Sequence, residues 1–264
     1  MKKHIPNLLT LGNLFCGTVA TIYAVQGNFE IAGILVVLGI FFDFFDGFAA
    51  RILNVSGELG KQLDSLADMV TSGVVPGIIM FKLLATSPNL DTLENATIDA
   101  NWMNFNFAPI QLFGLLLTLG ACCRLAKFNI DTRQSDSFIG LPTPAMSLFI
   151  ISLPLIQEYS TIESIQNLIS SHYFLILVTV ALTYLMNAEL PLFSLKFKNY
   201  NFNNNVLKYL FLIASLILLL TLKYIAIPLV ILLYVALSMI SNYGKKNLPC
   251  YVSFSLFYLL LGKD

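Results

Sequence analysis

The sequence predicts an all-α fold, a polytopic bundle of about eight transmembrane helices, and three observations predict it: the composition, the length of the apolar runs and the placement of the basic residues. Of 264 residues, 57% are hydrophobic and 11% charged, with a mean hydropathy of +0.77. Soluble domains run at roughly 45–50% apolar and about 25% charged. The apolar runs are 17 to 24 residues long, and a helix needs about 20 residues to cross the hydrocarbon core of a bilayer. Formal net charge is zero, so nothing in the charge balance points to nucleic acid.

In chain order the expected spans are Leu8–Val25, Ile31–Arg51, Lys61–Leu84, Pro109–Phe128, Gly140–Gln157, Tyr173–Glu189, Val206–Leu222 and Tyr224–Ser241. The basic start, Met1-Lys2-Lys3-His4, imitates a secretory signal, but Asn7, Asn13 and Gly17 interrupt the run and no small-residue cleavage site follows, so it reads as an uncleaved first span. Only Lys223 separates the last two spans, which leaves a tight hairpin or one broken helix. Tyr251–Leu261 is too short to cross and is expected at the interface. Residues 1–190 would form a six-helix catalytic core, and 191–264 two further helices and a tail. Cys16, Cys122, Cys123 and Cys250 lack metal-ligand spacing and read as packing residues.

With the N-terminus inside, the inner segments hold Lys2, Lys3, Arg51, Lys61, Arg124, Lys127, Arg133, Lys196, Lys198, Lys208, Lys245, Lys246 and Lys263, and the outer side only Lys82 and Lys223. That asymmetry is the positive-inside bias. It predicts a multi-pass inner-membrane protein with both termini in the cytoplasm. The loop from Ala85 to Ala108 carries Asp91, Glu94 and Asp99 and no Lys or Arg, as an outer loop should.

Acidic side chains near the hydrocarbon region are costly and point to function. Asp43 and Asp46 end the second span, three residues apart, and Asp64 and Asp68 open the third, four apart, so each pair shares a helix face. A connection of about nine residues, Ile52 to Gly60, makes the two helices antiparallel neighbours at the cytoplasmic side. Four converging carboxylates repel unless cations neutralise them. An all-oxygen donor set selects hard divalent ions, Mg²⁺ or Mn²⁺, and two pairs on facing helices suit two ions clamping a phosphoryl centre. Gly47, Ala50 and Gly60 leave bare helix surface one turn from the acids, and Arg51 offers a planar fork for phosphate oxygens.

The run Asp43-Phe44-Phe45-Asp46-Gly47-Phe48-Ala49-Ala50-Arg51, followed at fixed spacing by Gly60, Asp64 and Asp68, resembles at all eight fixed positions the signature of the CDP-alcohol phosphatidyltransferases. The resemblance implies that Asp43, Asp46 and Asp64 bind metal, that Asp68 both ligates and serves as the base for an acceptor hydroxyl, and that Gly47, Ala50, Arg51 and Gly60, with Asp46, line the CDP site. Four further stretches, Ile5–Gly17, Asp64–Val70, Arg124–Asn129 and Phe138–Pro144, are similar to the bacterial phosphatidylserine synthases within that family. They imply CDP-diacylglycerol and L-serine as substrates, CMP as product, and a homodimer. Asn7 and Thr10 fall where that family's N-terminal polar pair approaches the nucleotide phosphates, unless they merely cap the first helix.

Arg124, Lys127 and Asn129 are the candidates for serine or lipid phosphate, although basic residues at a helix end also serve as anchors. Pro142 and Pro144 read as shaping a helix start, and His4 and His172, at opposite ends of the topology, as non-catalytic. A single in-line displacement is expected, because Ser65, the nearest nucleophile, has no partner base. Glycerol 3-phosphate or inositol phosphate as acceptor would want a denser basic pocket. A cation channel or transporter would want acids along the outer halves of the spans, where there are none.

Overall fold

The computed structural model describes residues 4–55, 57–86, 108–131, 138–192 and 202–247. Each of the eight expected spans is helical in it. Helix α1 is His4–Gln26 and α2 is Phe29–Leu53, joined by Gly27 in a left-handed conformation (φ 81°) and by Asn28, whose side chain caps α2 at the Ile31 N–H. Asn54, also left-handed (φ 50°), ends α2. Helix α3, Glu58–Asp68, therefore starts after a connection shorter than the nine residues expected, because helix runs further into the turn from both sides. Likewise α1 begins at His4, so Asn7 and Thr10 lie inside it and cap nothing.

The third span is not continuous α-helix. After α3 comes a π-helical turn, Met69–Val74, in which the Val75 N–H reaches back to the Val70 carbonyl, and then α4, Val75–Ala85. Pro76, in the first turn of α4, lacks an N–H and would crowd the preceding turn, which the wider π turn relieves. A 3₁₀ segment, Pro109–Leu115, leads into α5, Leu116–Ile130. Close packing here needs small residues: a Cβ on Gly114 would lie 2.5 Å from the Phe81 backbone nitrogen.

Helix α6, Thr143–Tyr159, starts at Thr143 and not at Gly140, because Phe138–Ile139 (β1) pairs antiparallel with Pro191–Leu192 (β2) and Pro142 stands at the helix N-cap. The connection between the expected spans Gly140–Gln157 and Tyr173–Glu189 contains the short helix α7, Glu163–Ser170, set at 72° to α8, His172–Asn187. Helices α9, Phe202–Leu222, and α10, Ala226–Asn247, are joined by a 3₁₀ turn in which Lys223 has φ 49°. The Phe211 and Tyr234 rings meet at 5.7 Å across this turn, so the pair is the tight hairpin, not one broken helix.

Among the described residues, five helical stretches are long and apolar enough to cross a membrane, or six counting α7 with α8, with 205–240 taken as one stretch although the hairpin folds it into two. The core lies among α1, α2, α4, α6 and α8, around Val36, Ile79, Met80, Ile150 and Leu175. Leu8, Phe15, Ile34, Phe44, Leu220 and Ile240 are exposed, as lipid-facing surface requires. Cys16 packs inside, but Cys122 and Cys123 are exposed on α5 and so do not serve as packing residues within the chain; Cys250 and Tyr251–Leu261 lie outside the described residues.

Candidate active site

The α2–α3 turn brings the predicted acids together. Carboxylate oxygens of Asp43, Asp64 and Asp68 all lie within 4.8 Å of one another. Like charges this close, partly shielded from water, repel by on the order of several kcal/mol. Asp46 is turned to a different partner: its Oδ2 accepts a 2.5 Å hydrogen bond from the Thr10 hydroxyl, which also lies 3.1 Å from the Pro6 carbonyl oxygen. Asp46 and Thr10 are both buried. Asn7 stands one turn before Thr10, over Gly60, where a Cβ would come within 3.5 Å of its Oδ1. So α1 forms the third wall of the site, facing both acidic helices.

A Cβ on Gly47 would meet nothing within 4 Å, which leaves open space beside Asp46. The Arg51 Nε donates to the Gly47 carbonyl one turn back, laying the exposed side chain along the helix that bears Asp43 and Asp46. Ala50, between them in sequence, is partly buried.

The profile of the CDP-alcohol phosphatidyltransferase family matches residues 3–185, which takes in α1 to α8 almost whole. The chain belongs to that family. Among similar proteins, the CDP-diacylglycerol–serine O-phosphatidyltransferase of Bacillus subtilis (strain 168) is 36% identical over 151 residues, 57% of this chain and 75% of its own. A protein of the same name from Helicobacter pylori (strain J99) is 34% identical over 149 residues, 55% of each chain. An archaetidylserine synthase of Methanothermobacter thermautotrophicus is 30% identical over 163 residues, 61% of each. Membership sets aside the cation channel or transporter.

CDP-alcohol phosphatidyltransferases use divalent metal ions, and the acids of this chain fit one. The donor set is three carboxylates, hard oxygen ligands of the kind Mg²⁺ and Mn²⁺ prefer. Among the described residues the Asp64 Oδ1 is buried without a hydrogen-bond partner, an arrangement that costs free energy unless something cationic meets it.

The remaining candidates part company on α5. Asn129 faces α3: its Oδ1 accepts from the Ser65 hydroxyl (3.0 Å) and its carbonyl from Lys61 Nζ (2.5 Å). Ser65 is thus engaged with an amide and no base. Arg124 and Lys127 instead border a cavity of about 100 Å³ against the end of α8, with Asn187 and Glu189. Arg124 is buried, and its guanidinium donates from Nε to the Leu141 carbonyl (2.5 Å) and from Nη2 to that of Gly140 (3.3 Å), bracing the start of α6.

Two residues of the site escape the sequence reading. Asn13, wholly buried in α1, donates from Nδ2 to Asp68 Oδ1 at 3.1 Å, and Thr71, wholly buried in the π turn, lies 2.8 Å from Asn13 Oδ1. The signal was present: Asn7, Thr10 and Asn13 follow at intervals of three, a polar stripe in an apolar helix.

Proposed function

We propose that this chain transfers the phosphatidyl group of CDP-diacylglycerol to L-serine and releases CMP, a step of phospholipid biosynthesis. The observation that carries the reading is the convergence of Asp43, Asp64 and Asp68 within 4.8 Å, on the family's own spacing. Serine is favoured as acceptor because the relatives in Bacillus subtilis and Helicobacter pylori are named for it.

Asp43, Asp46, Asp64 and Asp68 would hold two divalent ions, Mg²⁺ or Mn²⁺, which supply charge neutralisation for the pyrophosphate and the departing CMP. Asn7 and Thr10 from α1, with Gly47, Ala50, Arg51 and Gly60, form the CDP cradle: the small residues admit the nucleotide against backbone, and the Arg51 fork meets its phosphates. Asp68 accepts the proton of the serine hydroxyl. The serine oxygen then bonds to the phosphorus that bears diacylglycerol, and the bond from that phosphorus to the CMP oxygen breaks, CMP keeping the electron pair. Of the acceptor candidates, Asn129 stands on the α3 side with Lys61 and Ser65, so it is the first choice for serine, ahead of Arg124 and Lys127, which border the cavity at the end of α8.

The positive-inside bias of the basic residues supports a cytoplasmic site and cytoplasmic termini. Residues 1–190 serve as the catalytic core, 191–264 as an added helix pair and tail, and the working unit is a homodimer. Purified protein with CDP-diacylglycerol and Mg²⁺ is expected to release CMP with L-serine, and not with glycerol 3-phosphate or inositol phosphate. CMP release driven by either phosphorylated acceptor would move the chain to a sister activity, and none with any acceptor would end the reading altogether.

A further inference from the structure

We infer that Asn13 and Thr71 are a positioning pair for Asp68: the Thr71 hydroxyl fixes the Asn13 amide, and the amide holds one oxygen of Asp68 so that the other is presented to the acceptor. The inference rests on the proposed reaction, in which Asp68 is the base. Asn13 spans α1 to α3, giving its Nδ2 to Asp68 Oδ1 at 3.1 Å. An amide can turn either end to a carboxylate, but here its oxygen is engaged, lying 2.8 Å from the Thr71 hydroxyl. The reverse orientation would set oxygen against oxygen at Asp68.

The enclosure looks built for this pair. A Cβ on Gly39 of α2 would come within 2.8 Å of both Asn13 Oδ1 and Thr71 Cγ2, and one on Gly17 of α1 would collide with the Thr71 hydroxyl. Asn13 and Thr71 are both fully buried, so no water competes for these bonds. The π turn sets Thr71 directly beyond Asp68, and π turns inside α-helices recur at functional sites.

Thr71→Val keeps the shape and removes the hydroxyl; Thr71→Ser keeps the hydroxyl. Thr71→Val and Asn13→Leu are expected to lower kcat by about 10- to 100-fold, the usual range for partners that orient ligands, with the KM for CDP-diacylglycerol within about two-fold. Thr71→Ser should recover most of what Thr71→Val loses. Mn²⁺ titration followed by electron paramagnetic resonance, without substrate, reads the same positioning without turnover: weaker binding in Thr71→Val than in Thr71→Ser is expected. If Thr71→Val, folded to the wild-type melting temperature, keeps wild-type kcat and Mn²⁺ affinity, the pair is packing and the inference falls. An inactive wild type would instead condemn the proposed reaction, so the two failures are told apart.

Discussion

Asp43, Asp64 and Asp68 share a volume that no single carboxylate would choose, and among the described residues the buried Asp64 Oδ1 meets no hydrogen-bond donor. Replacing any one by Asn changes neither size nor shape but takes away a negative charge, and with it, in the proposed reaction, a metal ligand and at Asp68 the base. Each of Asp43→Asn, Asp64→Asn and Asp68→Asn should cut CMP release by at least about a thousand-fold, on the order of 4 kcal/mol of transition-state stabilisation, while the purified protein stays monodisperse in detergent. Chelation should silence the wild type and Mg²⁺ restore it; Ca²⁺, whose coordination is longer and looser, should restore little. Near-normal turnover in any one variant would remove that residue from the site. The acids were legible because an acid in an apolar helix has no inexpensive explanation. Asn13 and Thr71 were harder to see, since single polar residues in such helices often serve only to bond their own backbone, as Thr18 and Thr21 do here.

Among elements, the existence of each helix followed from apolar run length, but the ends and breaks did not. The π turn at Met69–Val74 adds one residue to a turn in the middle of a single expected span, and hydropathy cannot register it. The β1–β2 pairing joins two segments about fifty residues apart through two residues each, too short for any alternating pattern. Close helix contact is what the glycines make possible. Gly114 packs directly on the backbone of α4 at Met80 and Phe81, so the contact is with backbone atoms that cannot swing aside. Gly114→Ala should therefore destabilise the fold by about 1–3 kcal/mol, the cost of overpacking, read as a lower melting temperature in detergent with metal dependence unaltered. An unchanged melting temperature would mean that the 3₁₀ segment yields easily and does not brace α4.

For the molecule as a whole, the eight helical runs and the basic-residue asymmetry describe one orientation, which the hairpin makes testable. Its tip at Lys223 is bracketed by α9 and α10, and the Tyr224 ring lies 5.4 Å from that of Tyr159 at the end of α6. If both termini are cytoplasmic, this tip faces outward. In a parent with all four cysteines replaced by serine, Lys223→Cys should react with a membrane-impermeant maleimide in intact cells, and Lys196→Cys only after the membrane is opened. The opposite pattern would invert the topology.

The same hairpin bears on how fast different parts of this chain can change over evolutionary time. Between Asn205 and Ile240 little of the hairpin is buried within the chain, and in a bilayer its neighbours are acyl chains, which are fluid and fit one aliphatic side chain as well as another. Exchanging Leu216, Ile217 or Leu220 for another apolar residue removes no specific contact, whereas α1 to α3 are locked by Thr10 to Asp46 and Asn13 to Asp68. Selection at the hairpin is therefore expected to see little beyond hydropathy, and substitutions among apolar residues to be tolerated there. The family match itself ends at residue 185, before this helix pair begins.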